Sequence, residues 1–266
     1  MPSKKSHTDQ LGREVTIPAN PKRIISVVPS QTELLFYLGL QEQVVGVTKF
    51  CIHPATGVAA KAKIGGTKQL DIEKIKSLQP DLIIANKEEN ERSQIEELMN
   101  YFPVWISDVY DLPGALQMIE NISDITDKPT EARKLISDIE EGFQQLVPIT
   151  KQLSVAYLIW RKPYMTAGNE TYIDDMLSRC GLVNCLNDTR YPEVDASKLA
   201  ELNPDVVLLS SEPYPFKQRH VDEFKSMLPN ARVLLVDGEM FSWYGSRLQF
   251  ASKYFAEIIK MLENQS

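Results

Sequence analysis

A segment that occurs twice is the feature that most restricts the fold of this chain. LDIEKIKSLQPDLIIAN spans residues 70–86, and VDASKLAELNPDVVLLS spans residues 194–210. Three residues of the two copies match at a constant spacing of 124 positions: Asp71 with Asp195, Pro80 with Pro204, and Asp81 with Asp205. In each copy a short amphipathic helix ends at a proline, and an apolar run typical of a buried parallel strand follows. The repeat predicts two similar α/β lobes, although helix–strand patterns of this kind also recur by chance.

One long helix is predicted between the two copies. Residues 130–147, TEARKLISDIEEGFQQLV, lie between Pro129 and Pro148 and carry apolar side chains at three- and four-residue spacing. At 1.5 Å per residue, this helix is about 27 Å long. We therefore predict three parts of the chain: an N-terminal α/β lobe over 1–127, a connecting helix over 128–150, and a C-terminal α/β lobe over 151–266.

The remaining segments alternate between strands and helices, as in α/β proteins with parallel sheets. The predicted strands are 23–28, 44–47, 82–85, 104–106, 154–160 and 232–236, and the predicted helices are 31–38, 91–100, 112–125, 217–228 and 247–262. Ser30 and Glu33 have the spacing of a capping box for the first of these helices. Residues 8–23 form a polar segment before the first predicted strand, and a small hairpin is predicted around Gly12. Loops are predicted over three stretches: 64–69, which is flexible by composition, 161–168, and the aromatic stretch 237–246.

Composition excludes several classes of protein. A net charge of −7 without a basic stripe gives no reason to expect a nucleic-acid partner. No run of about 18 apolar residues that could span a membrane is present. The opening MPSKKSHTDQ has no apolar core of the length that a secretory signal needs. We therefore expect a cytoplasmic protein if this start is native, and a periplasmic or cell-surface protein if a leading segment has been removed.

Signatures of catalysis and of metal binding are missing from the sequence. It contains no G-x-S-x-G, H-E-x-x-H, G-x-x-x-x-G-K or G-x-G-x-x-G motif, so we predict a binding protein and not an enzyme. The three histidines share no metal-ligand spacing, and no metal site is predicted. We expect the three cysteines to be buried free thiols. A Cys180–Cys185 bridge, which would leave Cys51 over, is expected only in an oxidising compartment.

Aromatic side chains collect in loops at or beyond the carboxyl ends of the predicted strands. They are Phe50, Trp160, Tyr164, Tyr191, Phe241, Trp243 and Tyr244. Large rings in such positions offer contact area to a flat or bulky ligand. The alternative for each single ring is packing under its own loop. At residues 29–31 a strand runs directly into a helix, which places free backbone N–H groups at the carboxyl end of a sheet. We predict a ligand-binding cleft lined by these groups, in which Arg161 and Glu239 orient polar substituents.

Seven segments spread over nearly the whole chain carry a resemblance to a known class of proteins. They are RIISVVPSQTELLFYLGL, VVGVTKFCIHP, DIEKIKSLQPDLIIA, YMTAG, YPEVD, VVLLS and FSWYGSRL. Together they resemble the substrate-binding proteins that serve ABC importers of vitamin B12, siderophores and haem, with the vitamin B12 binders most similar. The resemblance implies two Rossmann-like lobes with parallel sheets joined by a single long α-helix, the class III periplasmic-binding-protein architecture. Such proteins hold their ligand in the cleft between the lobes and open and close little.

The resemblance also implies which residues contact the ligand. Those in matching positions are Pro29, Ser30, Gln31, Phe50, Thr67, Asn86, Trp160, Tyr191, Glu239, Phe241 and Trp243, and the loop pattern adds Arg161 and Tyr244. Thr67, Asn86 and Met240 stand where the vitamin B12 binders carry tryptophan, and Phe50 stands where they carry tyrosine. The resemblance implies a corrinoid such as cobalamin as the ligand, and these departures leave a ferric siderophore or haem open. No cofactor of the protein's own is expected.

A permease partner follows from the same resemblance. Proteins of this class use one surface glutamate per lobe to dock on arginines of the permease. Glu73 matches the first glutamate, and Ser197 stands at the second position with Asp195 and Glu201 nearby. We expect a monomer that delivers its ligand to an ABC permease through the face around Glu73. The alternatives are a cytoplasmic sensor or storage protein for a corrinoid or metal chelate, and an enzyme acting on a metal-tetrapyrrole.

Overall fold

The computed structural model describes residues 3–264, which fall into two compact units. Among these residues the first unit comprises 3–109, 113–138 and 244–247, and the second unit comprises 110–112, 139–243 and 248–264. The chain therefore passes from one unit to the other at several places, and not only through the helix that spans residues 138 and 139. The predicted domain boundaries and the predicted cleft stay predictions.

An antiparallel hairpin precedes the first sheet. Its strands are β1, Lys4–Thr8, and β2, Glu14–Pro18. This confirms the hairpin predicted around Gly12, which has a φ of +77°. In the turn of the hairpin, the Gln10 backbone N–H donates to the Ile106 carbonyl oxygen at 3.1 Å. The hairpin thus occupies a backbone acceptor of the last strand of the first sheet, where an open edge would otherwise invite association.

Five parallel strands form the sheet of the first unit. They are β3, Ile24–Ser26, β4, Val44–Val47, β5, Ala62–Lys63, β6, Leu82–Asn86, and β7, Val104–Ser107, in the spatial order β5-β4-β3-β6-β7. Every residue of β3, β6 and β7 is buried. Burial on both faces explains why these strands are continuous apolar runs instead of alternating patterns. The parallel sheet predicted for this part of the chain is confirmed.

The sheet of the second unit is mixed. Its strands are β8, Leu153–Trp160, β9, Tyr164–Thr166, β10, Leu182–Asn184, β11, Glu193–Val194, β12, Val206–Ser210, and β13, Arg232–Val236. The spatial order is β11-β9-β8-β12-β13, with β10 paired to the first half of β8. The pairings of β8 with β10 and β12, and of β12 with β13, are parallel, whereas β9 is antiparallel to both β8 and β11. The predicted loop over 161–168 is wrong, because the chain turns back after β8 and pairs with it.

Helices follow most of the strands. Up to the middle of the chain they are α1, Pro29–Tyr37, α2, Ala55–Ala59, α3, Ile72–Ser77, α4, Arg92–Met99, α5, Leu112–Thr126, and α6, Pro129–Gln144. The later helices are α7, Tyr172–Arg179, α8, Ala196–Leu202, α9, Gln218–Met227, α10, Gly238–Ser242, and α11, Leu248–Glu263. Within residues 3–264, no helix is both long enough and apolar enough to cross a bilayer.

The connecting helix α6 is shorter than predicted. It ends at Gln144, three residues before the predicted end at Val147. Beyond that point the Leu146 N–H donates to the Phe143 carbonyl oxygen, a tighter bond than the four-residue step of an α-helix. Pro148 disfavours the helical conformation of the residue before it, so the last turn unwinds ahead of the proline.

The two copies of the repeat form the same local structure. Asp71 caps α3 by accepting the Lys74 N–H at 3.0 Å, and Asp195 caps α8 by accepting the Lys198 N–H at 2.7 Å. The residue before each proline, 79 or 203, takes the left-handed conformation, with φ of +46° and +43°. These equivalent conformations confirm that the sequence repeat is a structural repeat.

The aspartate after each proline fixes a neighbouring strand. Asp81 accepts the backbone N–H groups of Lys22 and Arg23, each at 2.8 Å, just before β3, and β3 pairs with β6. Asp205 accepts the backbone N–H and the hydroxyl group of Ser154, both at 2.8 Å, at the start of β8, and β8 pairs with β12. We refer to these two sets of contacts as the strand clamps. Each clamp sets the register of two parallel strands at their amino ends.

The capping box predicted for the first helix is wrong. The helix α1 begins at Pro29, and Val28 at its N-cap position provides no side-chain hydrogen bond. Proline suits the first position of a helix, because an N–H there would have no partner in the helix. Ser30 therefore lies inside the first turn. Glu33 forms an ion pair with Arg247 at 2.7 Å.

We predict that Asp205→Asn lowers the free energy of unfolding by about 1 kcal/mol at neutral pH, the scale of a charge-assisted hydrogen bond reduced for solvent exposure. Hydrogen bonds from Ser154, first from its backbone N–H, hold the pKa of Asp205 below its ordinary value of 3.8. A lowered pKa contributes stability that is present above pH 3.8 and is lost as the pH falls through the lowered value.

Urea unfolding of the parent and of Asp205→Asn between pH 7 and pH 2 measures this contribution. The difference in stability should shrink below pH 4. Asp188→Asn, at an exposed aspartate of the same unit, is the matched control and should leave the stability unchanged. A difference for Asp205→Asn that is as large at pH 2 as at pH 7 would contradict the role assigned to the carboxylate.

Candidate functional site

The first turn of α1 lies directly after β3, at the carboxyl end of the first sheet. It consists of Pro29, Ser30 and Gln31, and no side chain caps it, so its first N–H groups have no partner within the helix. Gln31 is fully buried, and its Nε2 donates to Ser107 Oγ at the end of β7. Ser30 Oγ and Gln31 Oε1 are buried and have no hydrogen-bond partner among residues 3–264. The turn therefore combines N–H donors with two polar oxygens that the protein does not use.

Asn86, the last residue of β6, has both polar atoms of its side chain bonded to protein. Its Oδ1 accepts the backbone N–H groups of Glu88 and Glu89 at 2.9 and 3.0 Å. Its Nδ2 donates to the carbonyl oxygen and the hydroxyl oxygen of Ser107 at 3.2 and 3.1 Å. This side chain therefore stabilises the carboxyl end of the sheet, and the ligand contact implied for Asn86 stays a prediction.

Residues 65–69 form a closed turn, in which the Gly66 N–H donates to the Gln69 carbonyl oxygen at 2.8 Å. Gly65 has a φ of +97°, and a Cβ at this position would lie 2.3 Å from the Gln69 carbonyl oxygen, so only glycine fits. The Thr67 carbonyl oxygen accepts a hydrogen bond from Asn90 Nδ2 at 3.1 Å. We refer to residues 65–69 as the glycine turn.

Phe50 lies beside the glycine turn. A Cβ at Gly66 would lie 3.1 Å from the Phe50 ring, so the ring and the turn are in contact. The Phe50 side chain is nevertheless 51% exposed, and the Lys49 ammonium group lies 5.0 Å from its ring centroid, within the range of a cation–π interaction. The exposed Phe50 ring therefore lies against Gly66, the residue before Thr67, and the positive charge of Lys49 lies beside the ring.

Tyr244 belongs to the first unit, although it follows the last strand of the second. Its hydroxyl group donates to Glu89 Oε1 at 3.4 Å. Two hydrogen bonds of 2.7 and 3.0 Å between Arg247 and Glu33 attach the same short segment to α1. Tyr244 is therefore held next to the residues that follow β6.

Trp160 and Arg161 lie at the end of β8. Trp160 is 40% exposed, and its ring meets Tyr214 edge-on at a centroid distance of 5.7 Å. Arg161 forms an ion pair with Glu223 at 2.7 Å, and Glu223 also accepts the Tyr164 hydroxyl at 2.8 Å. A ligand group that contacts Arg161 would thus share the guanidinium with Glu223.

The stretch 237–246, predicted to be a loop, contains the short helix α10. Asp237 caps this helix with its side chain, and the helix places Phe241 in the core of the second unit. The Phe241 ring packs on Phe255 and Tyr157 at centroid distances of 4.7 and 5.1 Å. The prediction that Phe241 lies on a surface loop is wrong, because the aspartate cap starts a helix there.

Trp243 is held by Glu212, a half-buried carboxylate that follows β12. Its Nε1 donates to Glu212 Oε1 at 2.8 Å, and Ser242 Oγ donates to the same oxygen at 2.6 Å. Burial raises the pKa of Glu212, the Ser242 hydrogen bond opposes that shift, and the negative charge of Glu239 adds to it. The orientation of the Trp243 indole therefore depends on Glu212.

Two predicted ligand residues of the second unit are half-buried. Tyr191 lies in the segment before β11, and Glu239 lies in the first turn of α10. Negative charge is favoured at the amino end of a helix, which suits Glu239 to its place. The ligand contacts implied for both residues stay predictions.

The residues 3–264 contain no group of three or more His, Cys, Asp or Glu side chains arranged to hold a metal ion. Cys51, Cys180 and Cys185 are free thiols, and Cys185 is half-buried. Burial raises the pKa of Cys180 to about 12 and the pKa of Cys185 to about 11. Both thiols are therefore protonated near neutral pH, where a thiol is a weak nucleophile.

The predicted docking residue Glu73 is accessible. It lies in the first turn of α3 with its side chain 85% exposed, and Lys76 Nζ is 3.0 Å from Glu73 Oε1. At the matching position of the second repeat, Ser197 is exposed in the first turn of α8. The carboxylates near it are engaged, because Asp195 caps the helix and Glu201 is paired with a lysine at 3.4 Å.

Four polar residues near the carboxyl ends of the two sheets were not predicted from the sequence. They are Asn90, Ser107, Glu212 and Glu223. Each bonds to residues far away in the chain, so neither a motif nor a spacing marks them. The available signal was position, since Asn90 and Glu212 follow the buried strands of the two repeats within four residues.

Comparison with known proteins identifies the class to which this fold and these features belong. The family model described as periplasmic binding protein matches residues 24–229, which is most of the chain. The chain therefore belongs to the periplasmic binding protein family.

Individual relatives agree with this assignment. The vitamin B12-binding protein of Pectobacterium carotovorum is 24% identical over 243 residues, which cover 88% of this chain and 87% of that protein. YvrC of Bacillus subtilis, named an uncharacterized ABC transporter substrate-binding lipoprotein, is 26% identical over 265 residues, which cover 94% of this chain and 84% of that protein.

Solved structures show the same fold. The periplasmic vitamin B12 binding protein BtuF of Vibrio cholerae gives a TM-score of 0.74 at 22% identity and covers 92% of this chain and 99% of its own. A periplasmic heme binding protein from Pseudomonas aeruginosa gives a TM-score of 0.78 at 20% identity and covers 90% and 92%. At these identities the likeness establishes the fold, and it confirms the predicted fold class.

Proposed function

We propose that this protein is the substrate-binding component of an ABC-type importer and that its ligand is a corrinoid, a ferric siderophore or haem. Membership of the periplasmic binding protein family supports the proposal. So do the names of its relatives, which include vitamin B12-binding proteins and an ABC transporter substrate-binding lipoprotein.

The observation that carries the proposal is the exposure of aromatic rings where parallel strands end. Phe50 in the first unit and Trp160 in the second are half exposed, although rings of this size are usually buried. The Lys49 ammonium group lies 5.0 Å from the Phe50 ring centroid, and Arg161 follows Trp160 in the chain. A ring with a neighbouring positive charge suits a large, partly apolar ligand that also carries polar or anionic substituents.

Ligand capture on this proposal needs no chemical step by the protein. The rings supply stacking area, and the first turn of α1 supplies N–H donors and the polar oxygens of Ser30 and Gln31. The ligand brings its own metal, so the protein has no cofactor of its own. It acts outside the cytoplasmic membrane as a monomer, in keeping with relatives named as periplasmic proteins and as a lipoprotein.

We expect the purified protein to bind at least one of cyanocobalamin, haemin and a ferric trihydroxamate. Visible absorption after gel filtration, with native mass spectrometry on the same fractions, should show a retained chromophore at one ligand per chain. A complex that survives gel filtration corresponds to a dissociation constant below about 10 μM. A chain that retains none of the three would contradict the proposed ligand class.

Trp160→Ala and Trp243→Ala should each weaken binding of the retained ligand by about 1–3 kcal/mol, the scale of losing one contacting ring. Titration followed by absorbance measures the affinity. Phe250→Ala is the matched control, because this phenylalanine is 53% exposed in the same unit and lies on α11. If both tryptophan variants bind like the parent, the ligand surface has been placed wrongly.

We further propose that Glu73 docks on a basic residue of the permease. Glu73→Ala should reduce the ATPase stimulation of the reconstituted transporter while leaving ligand affinity unchanged, because the residue is exposed on α3. The control is Glu96→Ala, an exposed glutamate of the same unit that is also ion-paired, with Arg92 at 2.7 Å. Stimulation by Glu73→Ala equal to that of the parent would remove Glu73 from the docking face.

A further inference from the structure

Asn90 is a buried amide that joins three segments of the first unit. Its Oδ1 accepts the backbone N–H of Asn86 at 2.8 Å. Its Nδ2 donates to the carbonyl oxygens of Val27 and Thr67, each at 3.1 Å. A single side chain thus connects the end of β6, the end of β3 and the glycine turn.

The orientation of this amide follows from its partners. Its acceptor oxygen faces an N–H group, and its two N–H groups face two carbonyl oxygens. The reversed orientation would place the amide oxygen against the carbonyl oxygens of Val27 and Thr67 and the amide nitrogen against an N–H. Each donor of the Asn90 amide therefore faces an acceptor, and its oxygen faces a donor. An asparagine amide provides this combination of one acceptor and two donors.

Other attachments of the glycine turn lie at its first residue, at an exposed lysine or beyond its end. At the first residue, the Lys49 backbone N–H donates to the Gly65 carbonyl oxygen at 2.8 Å. Lys68 Nζ donates to the Glu88 carbonyl oxygen at 2.6 Å, but the lysine side chain is long and exposed. The Leu70 N–H donates to Gln94 Oε1 at 2.9 Å, beyond the end of the turn. Asn90 reaches the middle of the turn from the buried side. It therefore determines where Thr67 lies, and with it the surface against which Phe50 packs.

We propose that Asn90 is a positioning residue that fixes the glycine turn in its ligand-contacting place. The inference rests on the proposed function, since it takes Thr67 and Phe50 as ligand contacts. Asn90 acts through the turn and does not touch the ligand. Loss of its two donated hydrogen bonds frees the turn and disperses the contact surface, whereas the parallel sheet keeps its strand pairing.

The test is Asn90→Asp, which keeps the shape and the acceptor but sets a carboxylate oxygen against the two carbonyl oxygens. Amide hydrogen exchange of peptides covering 64–70 should become about tenfold faster, because the hydrogen bond that ties the Thr67 carbonyl oxygen to Asn90 is lost. Peptides of β3 and β6 should keep their protection. Asn100→Asp, an exposed asparagine of the same unit that donates to a helix carbonyl, is the matched control and should leave exchange at 64–70 unchanged.

Asn90→Ala removes the same bonds without adding a charge, and thermal unfolding of each variant shows whether the unit still folds. Unchanged exchange at 64–70 in a folded Asn90→Asp or Asn90→Ala protein would overturn the inference. Faster exchange throughout the first unit in both variants would overturn it as well, since the residue would then be a general support of the fold.

Affinity for whichever of cyanocobalamin, haemin and the ferric trihydroxamate the parent retains gives the second readout. Asn90→Asp should weaken binding about tenfold. In a protein that already carries Thr67→Ala, the same substitution should weaken binding by no more than about threefold. Full additivity would contradict action through the turn. If Thr67→Ala and Phe50→Ala do not alter affinity, the proposed ligand surface fails, and that failure is separate from the exchange result for Asn90.

Discussion

The strand clamps are the contacts on which the rest of the structure depends. A parallel sheet has no hairpin turns to set its register, so the register must come from elsewhere. In each unit an aspartate directly before one strand accepts hydrogen bonds from residues at the start of its neighbour. In the first unit these are the backbone N–H groups of Lys22 and Arg23 just before β3, and in the second they are the backbone N–H and the hydroxyl group of Ser154, the second residue of β8. The amino ends of the two strands are thereby fixed side by side. The residues that leave the carboxyl ends are then fixed as well, because a slip by one position would turn every side chain to the other face.

What the clamps place at the carboxyl ends differs between the units. In the first unit, amides and hydroxyl groups form a continuous buried network from Gln31 through Ser107 to Asn86 and Asn90. In the second unit the acceptors are carboxylates, since Glu212 accepts a hydrogen bond from Trp243 and Glu223 accepts one from Arg161. The neutral network orients backbone turns, whereas the half-buried carboxylates orient side chains that donate N–H groups. The same scaffold thus presents two chemically different surfaces.

Local sequence patterns predicted the elements that local forces decide. The apolar runs and the Asp–helix–Pro–Asp repeat both act within a few residues, and the strands and helices built on them were predicted within about three residues of their ends. Errors arose where two local signals compete. Ser30 and Glu33 suggest a cap, but Pro29 prefers the first helical position. Aromatic residues suggest a loop at 237–246, but Asp237 starts a helix.

Contacts between distant residues could not be predicted from one sequence. Glu33 and Arg247 meet although 214 positions separate them, and Asn90 reaches back 23 positions to Thr67. The pairing of β9 with β8 and β11 also requires the chain to turn back after β8, and no apolar run in the sequence predicts this turn. For the candidate site, the pattern identified exposed rings such as Phe50 and Trp160, but not the buried residues that orient their neighbours. An aromatic ring can be recognised in the sequence by its residue type, whereas a positioning residue can be recognised only by the hydrogen bonds that it forms in the structure.

We propose that the ligand contacts residues that follow the parallel strands of each unit. Hydrogen exchange across the whole chain, with and without a saturating retained ligand, tests this claim most directly. We expect the ligand to add protection in peptides covering 29–31, 65–69, 160–161 and 239–243. We expect no added protection at the strand clamps around Asp81 and Asp205. Protection centred on the clamps, or confined to one unit, would contradict the proposal.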